Sequence, residues 1–397
     1  MLALTAAALW LGPADVVRAQ EVSAAVDDRV DSGPVPETAE PAADERRGGL
    51  ELGVVVAAAY NTNIFLSRTG EVADMVYRVA PLIAYARGDS KPGEGGYVRV
   101  AYQPALVVYG DGSADNRVDQ SAGLEAGWKG KVSSLTYQGD VRKSGDATAD
   151  TGTQTDRLEL ENEIRAAWSV REKVSLEAAA GGSQTKYDNS SLVDSGRYYG
   201  EVAVRHAYSP KTEAGVFYQA GRLKIRGADS QTLQQVAGSL KWQPREKIGI
   251  RIDAGVELRR AGGDSTTNPL LDARFDWSPR EGTRLFMTAY QRQEVSALND
   301  GQIYEVRGVT AGLFQRLGGN WAVRLEAGYE VADYIPDPAT GALSREDAIW
   351  FVRPSLNYQF SDGIDGAFFV EASDNDSTDA DFGYDATLTG VELNYKF

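Results

Sequence analysis

The chain has 397 residues, 41 Lys and Arg against 57 Asp and Glu, a formal net charge of −16, no cysteine and one histidine. The lack of cysteine excludes disulfide scaffolds and thiolate metal sites, and a single histidine cannot supply a set of imidazole ligands for zinc. The acidic balance argues against a nucleic-acid partner, which needs clustered Lys and Arg. A mean hydropathy of −0.35 excludes a bundle of membrane-spanning helices.

The first 19 residues predict a signal peptide. Residues 1–12 read MLALTAAALWLG, an apolar run too short to span a bilayer, and Val17-Arg18-Ala19 fits a cleavage site. A buried N-terminal helix is the alternative. Residues 20–47 are rich in Ala, Pro, Glu and Asp and contain no aromatic residue, so they cannot bury enough apolar area to fold. We expect a disordered, acidic periplasmic tether there, with a lumen plug or a docking tail as alternatives.

From residue 48 to 397, apolar and polar residues alternate along the chain. In the run from Trp321 to Val331 the odd positions are apolar, and the even positions are mostly charged or glycine. A period of two is typical of a half-buried β-strand. Alternation is also found in soluble sandwiches, so it does not by itself say which face lies against lipid.

Aromatic residues before short turns recur along the chain. These nine positions, spaced by roughly 34 to 44 residues, are Tyr85, Trp128, Trp168, Tyr208, Trp242, Trp277, Phe314, Tyr358 and Tyr395. Each interval holds two long alternating segments and one polar loop, which predicts nine hairpins. The expected fold is all-β, a transmembrane antiparallel up-and-down β-barrel of about 18 strands over residues 48–397. A β-propeller is the alternative, but its blades need four short strands per repeat.

Tryptophan and tyrosine at one end of every hairpin predict a membrane-interface girdle, because amphipathic rings favour the headgroup layer. The girdle residues are Trp128, Trp168, Tyr208, Trp242, Trp277, Trp321, Tyr358 and Tyr395. Their turns are short and are expected in the periplasm with both termini, whereas longer loops of about 6 to 15 residues are expected outside the cell. Leu393, Tyr395 and Phe397 form an alternating terminus typical of a barrel-insertion signal. The predicted location is the outer membrane of a Gram-negative bacterium.

Two motifs near the first hairpin are more specific. Tyr60-Asn61-Thr62-Asn63-Ile64-Phe65 precedes Asp74-Met75-Val76-Tyr77-Arg78-Val79-Ala80-Pro81. With the strand periodicity and the terminal Phe397, they resemble the β-barrel porin type 2 family, over residues from about 48 to the end. The resemblance implies an outer-membrane barrel from an exopolysaccharide or capsule locus that passes polymer outward. The segment Tyr60–Phe65 is expected at the tip of the first extracellular loop, either in turn formation and packing or in ligand contact.

Charged residues on the other register are expected to line the pore. They are Arg99, Arg157, Glu159, Glu161, Arg165, Arg251, Asp253, Glu257, Arg324, Glu326, Glu330 and Arg353. Either they neutralise one another across strands, or they give a sliding polysaccharide weak repeated contacts. No loop reads as long enough to constrict the lumen. The sequence therefore favours a conduit for exopolysaccharide export, with a general or solute-specific diffusion porin as the alternative and a non-transporting structural or surface-binding barrel as the second alternative.

An enzyme is not expected, and no catalytic residue is assigned. The one histidine, His206, falls on the lipid-facing register without a catalytic partner in the sequence. The acidic segment from Asp374 to Asp381 lacks the glycine and terminal glutamate of a calcium loop, so we expect a solvated loop and no metal or cofactor. Expected partners are outer-membrane lipid and lipopolysaccharide, the barrel-assembly machinery and, under the export hypothesis, periplasmic polysaccharide-export proteins; no nucleic acid is expected.

Overall fold

The alternating segments form 18 antiparallel strands in a computed structural model that describes residues 49–88, 95–298, 302–336 and 344–397. The strands are β1 (Gly49–Asn61), β2 (Asp74–Gly88), β3 (Gly95–Tyr109), β4 (Arg117–Lys129), β5 (Ser133–Ser144), β6 (Arg157–Arg171), β7 (Val174–Tyr187), β8 (Ser195–Ser209), β9 (Thr212–Ile225), β10 (Gln231–Arg245), β11 (Ile248–Ala261), β12 (Asp264–Arg280), β13 (Thr283–Val295), β14 (Ile303–Gly318), β15 (Trp321–Tyr334), β16 (Arg345–Ser361), β17 (Ile364–Ser377) and β18 (Tyr384–Lys396). The predicted signal peptide and tether lie outside the described residues.

The sheet closes on itself. Each strand pairs with its neighbours in chain order, and β1 pairs with both β2 and β18. Every strand therefore has a hydrogen-bonded partner on both sides, which leaves no strand edge in contact with lipid. The predicted up-and-down barrel of about 18 strands is confirmed.

The two faces of each strand differ in chemistry. On β8 the outward residues Val202 and Val204 are exposed, whereas Glu201 and Arg205 on either side of this pair point to the other face and are half-buried. This pattern repeats around the barrel and produces an apolar outer wall and a polar lumen, as expected of a barrel that crosses a bilayer. Among the described residues, no helix has the length and apolar character needed to cross a membrane.

The connections at the two ends differ in length. Turns such as 172–173, 210–211 and 362–363 join strands at the end that also carries Gly49 and Lys396, and this end is assigned to the periplasm. The connections at the opposite end are named here L1 (62–73), L2 (110–116), L3 (145–156), L4 (188–194), L5 (226–230), L6 (262–263), L7 (described at 296–298 and 302), L8 (described at 335–336 and 344) and L9 (378–383).

The predicted loop lengths of about 6 to 15 residues are wrong for L5 and L6. L6 is a two-residue turn of Gly262 and Gly263, both in the left-handed region with φ of 57° and 100°. Glycine adopts this conformation without a steric cost and so allows a tight hairpin turn. The polar residues from Asp264 onward pair with β11 instead of forming a loop, because Ala261 lies directly opposite Asp264.

The predicted girdle residues lie at the periplasmic end. Trp128, Trp168, Tyr208, Trp242, Trp277, Trp321 and Tyr395 are exposed there, whereas Tyr358 is half-buried, with its ring 4.5 Å from Trp321 and 4.8 Å from Phe360. Leu393, Tyr395 and Phe397 all face outward on the last strand and its end. The amide of Phe397 donates to the carbonyl of Leu52 at 2.9 Å, so the terminal residue extends the pairing of β18 with β1.

Candidate functional site: the lumen and its outer closure

A network of charged side chains covers the lumen wall on β6, β7 and β8. The guanidinium of Arg165 lies 2.9 Å from Glu163, 2.9 Å from Glu201 and 3.5 Å from Glu177. Arg205 binds the same Glu177 at 2.8 Å. Because strand alternation points each of these residues inward, they meet on one surface although they come from three strands.

The network continues onto β10 and β11. Glu257 accepts hydrogen bonds from Arg259 at 2.9 Å and from Gln235 at 2.7 Å, and Arg197 of β8 approaches it at 4.0 Å. Further round the wall, Arg251 pairs with Asp253 at 3.3 Å. The charges are thus arranged as neighbouring pairs of opposite sign, which keeps the wall polar and hydrated.

These walls line a cavity of about 390 Å³ on the side of the barrel from β5 to β14. Seven of the predicted pore residues line it, namely Arg157, Glu159, Glu161, Arg165, Arg251, Asp253 and Glu257. The full lining has ten carboxylates, which are Asp140, Asp150, Glu159, Glu161, Glu163, Glu201, Asp253, Glu257, Asp272 and Glu294. It has seven guanidiniums, from Arg157, Arg165, Arg197, Arg205, Arg251, Arg259 and Arg292. Carboxylates therefore outnumber cations around the cavity.

The other five predicted pore residues lie on the same inner register, outside this cavity lining. Arg99 pairs with Glu125 at 3.4 Å, and Arg353 pairs with Glu371 at 2.9 Å. Glu330 accepts a short hydrogen bond from the hydroxyl of Tyr290, two strands away. The last two, Arg324 and Glu326, are neighbours of Glu330 on β15, and Glu326 lies opposite Arg353 in the register.

Loop L3 folds into the barrel, and the prediction that no loop constricts the lumen is wrong. Residues 145–150 are all buried, although they belong to a connection between two strands. In the middle of the loop the carboxylate of Asp150 accepts hydrogen bonds from the Ser296 hydroxyl at 2.6 Å, the Ala297 amide at 2.7 Å and the Tyr334 hydroxyl at 3.1 Å. Since L3 starts from β5 and these partners follow β13 or belong to β15, the loop crosses to the opposite wall.

The rest of L3 is held along its path. Asp146 pairs with Arg117 of β4, and Gln154 donates to the hydroxyl of Tyr109 at 2.8 Å. Ala147 and Ala149 pack in an apolar cluster whose other members are Leu66, Ile349, Phe351, Tyr384 and Ala386. Small side chains let this backbone lie close to the opposite wall. A loop held at both ends and in the middle forms a fixed partition across the outer lumen.

A second contact joins two outer loops beside L3. The amide of Val193 in L4 donates to the carbonyl of Ala297 in L7 at 2.8 Å. Leu192 and Val193 are buried, and Val193 packs with Leu223, Ile225 and Leu233 on the neighbouring wall. Ala297 therefore contacts both L3 and L4, and it is the point where the inward loops meet.

The segment Tyr60–Phe65 is not the exposed tip of L1, so that expectation is corrected. Tyr60 and Asn61 still belong to β1, and Asn63 and Ile64 are buried. The Asn63 amide nitrogen donates to the carbonyls of Ser67 at 2.8 Å and Asp385 at 2.9 Å. Asn63 thus satisfies one backbone carbonyl of L1 and one of β18, and this corresponds to the predicted role in turn formation and packing.

The residues weighed for chemistry are dispersed. The ring of His206 packs at a tilt against Tyr208, with ring centroids 4.4 Å apart. Asp374 and Asp376 belong to β17 rather than to a loop, and Ser377 donates to Asp347 at 2.6 Å. Across the described ranges, no group of three or more His, Cys, Asp or Glu side chains is placed to hold a metal ion.

Comparison with known proteins relates the chain to other barrels by fold. No family model matches it, and no curated protein matches it by sequence. Among solved structures, OccAB4 of Acinetobacter baumannii is similar with a TM-score of 0.49 and 12% identity, covering 89% of this chain and 99% of that one. OpdL of Pseudomonas aeruginosa has a TM-score of 0.47 and 12% identity, with 88% and 98% coverage. OccK7 of Pseudomonas aeruginosa has a TM-score of 0.45 and 13% identity, covering 88% of this chain and 98% of that one.

These similarities concern the fold, and no residue role or substrate is carried over from them. The assignment of the chain rests on its own geometry. A closed barrel with an apolar outer wall satisfies the backbone inside a bilayer, and exposed aromatic side chains lie at its periplasmic end. The chain is an 18-stranded β-barrel of the Gram-negative outer membrane.

Proposed function

We propose that the barrel is a diffusion porin for small polar solutes. The observation that carries this proposal is the inward loop L3, which is bound across the outer lumen through Asp150. An 18-stranded barrel without a constriction leaves a wide aqueous channel. A partition at its outer end limits the size of what passes and brings each solute against the charged wall.

The charge of the wall sets the class of solute that the porin favours. Ten carboxylates against seven guanidiniums line the cavity, and they are paired along its surface. Neutral polyhydroxylated solutes can exchange hydrogen bonds with such pairs, and cationic solutes gain from the excess of carboxylates. Small anions are disfavoured by the same excess.

Export of exopolysaccharide, the function favoured by the sequence, has less support from this geometry. It depends on the resemblance to the porin type 2 family, whereas a polymer needs a continuous channel through which many units follow one another. L3 and the contact between L4 and L7 lie in that path. Export would therefore require the release of several buried hydrogen bonds at the outer mouth. A deletion strain that secretes normal exopolysaccharide would exclude it.

A vesicle-swelling assay tests the porin proposal. The variant replaces residues 145–156 with Asn-Gly, which can join β5 to β6 because Ser144 lies directly opposite Arg157. We expect the wild-type barrel to admit a monosaccharide and to exclude a tetrasaccharide, whereas the variant admits both. Heat-modifiable electrophoretic mobility checks that the variant is folded.

Two results of this assay would contradict the proposal. The first is wild-type barrels that admit the tetrasaccharide as fast as the variant does, which would show that L3 does not restrict passage. The second is a folded wild-type barrel that admits no solute at all, which would favour a non-transporting scaffold.

A further inference from the structure

Four cations lie together on the outer wall near the extracellular loops. Arg222 of β9 is opposite Thr232 of β10, and Thr232 is opposite Arg260 of β11, so both arginines lie in one row across three strands. Lys224 lies two residues further along β9, and Lys186 projects from β7 on the same face. All four side chains are exposed. We call Lys186, Arg222, Lys224 and Arg260 the cationic patch.

The patch differs from other cations near the same rim. Lys143 pairs with Asp156 at 3.1 Å, Arg226 with Asp194 at 3.7 Å and Arg307 with Asp333. Within the described part of the chain, the cationic patch has no carboxylate partner. One of its charged groups, the ammonium of Lys224, lies over an aromatic ring, 5.6 Å from the centroid of Tyr198. Four positive charges on one sector of the exterior wall attract anions to that sector.

The position of the patch identifies the kind of anion. Toward the periplasm the outer face of the same strands becomes apolar, with exposed Val202 on β8, Val216 on β9 and Val236 on β10. The patch therefore lies where the hydrocarbon layer ends and the headgroups of the outer leaflet begin. Strands are spaced by about 4.8 Å, so Arg222 and Arg260 are roughly 10 Å apart at the backbone, and their flexible side chains can reach along the headgroup layer.

We propose that the cationic patch docks the phosphate groups of a lipopolysaccharide molecule against strands β7 to β11. Lipopolysaccharide is the phosphate-bearing lipid of the outer leaflet, and the patch faces that leaflet. On the other side of the barrel, the outer wall at the same level carries Asp374 opposite Asp385. Docking is thus directed to one sector of the barrel. The proposal does not depend on what passes through the lumen.

A binding measurement on the folded full-length barrel in neutral detergent tests this docking site. The variant carries Lys186→Gln, Arg222→Gln, Lys224→Gln and Arg260→Gln, and the probes are fluorescent lipopolysaccharide and the same lipid without its phosphates. Each exposed ion pair contributes modestly, so we expect about tenfold weaker binding of intact lipopolysaccharide by the variant at low salt. Wild-type protein should likewise bind the lipid without phosphates about tenfold more weakly than intact lipopolysaccharide.

The matched control removes four exposed cations at the periplasmic end, through Arg171→Gln, Lys173→Gln, Lys211→Gln and Arg245→Gln. We expect it to bind lipopolysaccharide as the wild type does. If the patch variant does not fold, the double variant Arg222→Gln/Arg260→Gln is measured in its place, with an expected loss of about threefold. Unchanged binding by the patch variant, an equal loss in the control, or equally tight binding of phosphatidylglycerol vesicles by the wild type would each overturn the proposal.

Discussion

At the scale of single residues, Arg165 is a cation of the lumen wall that three carboxylates share. Its side chain is 11% exposed and contacts Glu163, Glu177 and Glu201, so its removal leaves three carboxylates close together without their common partner. We expect Arg165→Gln to lower the free energy of unfolding by roughly 3 kcal/mol, measured by urea unfolding in lipid vesicles.

Arg99→Gln is the matched control for that variant. Arg99 carries the same charge on the same register, but its side chain is 37% exposed and it lies 3.4 Å from Glu125, which is itself 39% exposed. Solvent screens such a pair, so the expected loss is below about 1 kcal/mol. Equal losses in the two variants would contradict the view that burial among three carboxylates makes Arg165 important.

At the scale of the strand pair, a glycine makes room for an aromatic ring. A Cβ at Gly308 would overlap the ring of Tyr290, which lies opposite it in the β13–β14 register. Tyr290 is buried and donates to Glu330, so Gly308→Ala should push the ring away from that partner. We expect a loss of about 1–3 kcal/mol in the free energy of unfolding.

Gly200→Ala provides the comparison. Its Cβ would meet only the Ala179 carbonyl oxygen, at 3.9 Å, which is an ordinary contact. Its free energy of unfolding should stay within about 0.5 kcal/mol of the wild-type value. If Gly308→Ala lowers the free energy of unfolding as little as Gly200→Ala does, the ring of Tyr290 is not confined in the way that the register implies.

The elements that could be predicted from the sequence are those with local causes. Strand alternation and the aromatic residues before short turns are read within a window of about ten residues, and they predicted the 18 strands. The inward fold of L3 has no such local cause. Asp150 finds Ser296 and Tyr334 at separations of 146 and 184 residues, so only the closed barrel brings them together. The small residues Gly145, Ala147 and Ala149 are the feature of the sequence that could have indicated an inward loop. Small residues alone do not distinguish a loop inside the lumen from a loop exposed to solvent.

At the scale of the whole molecule, the charge of the lumen predicts ion selectivity. The net charge of −16 covers the whole chain, but ten carboxylates and seven guanidiniums line the cavity itself. We expect a modest preference for K⁺ over Cl⁻, measured as the reversal potential across a bilayer with a KCl gradient. A preference for Cl⁻ would show that other parts of the lumen control permeation.

The central claim is that L3, anchored by Asp150, restricts the pore, and single-channel conductance tests it most directly. Asp150→Ala removes the acceptor of three hydrogen bonds, whereas Asp115→Ala removes an identical charge from the exposed loop L2. In planar bilayers we expect Asp150→Ala to open wider or noisier channels with at least about twofold higher mean conductance, because lost buried hydrogen bonds release the loop. Asp115→Ala should conduct as the wild type does. Identical conductance in all three proteins would contradict the account.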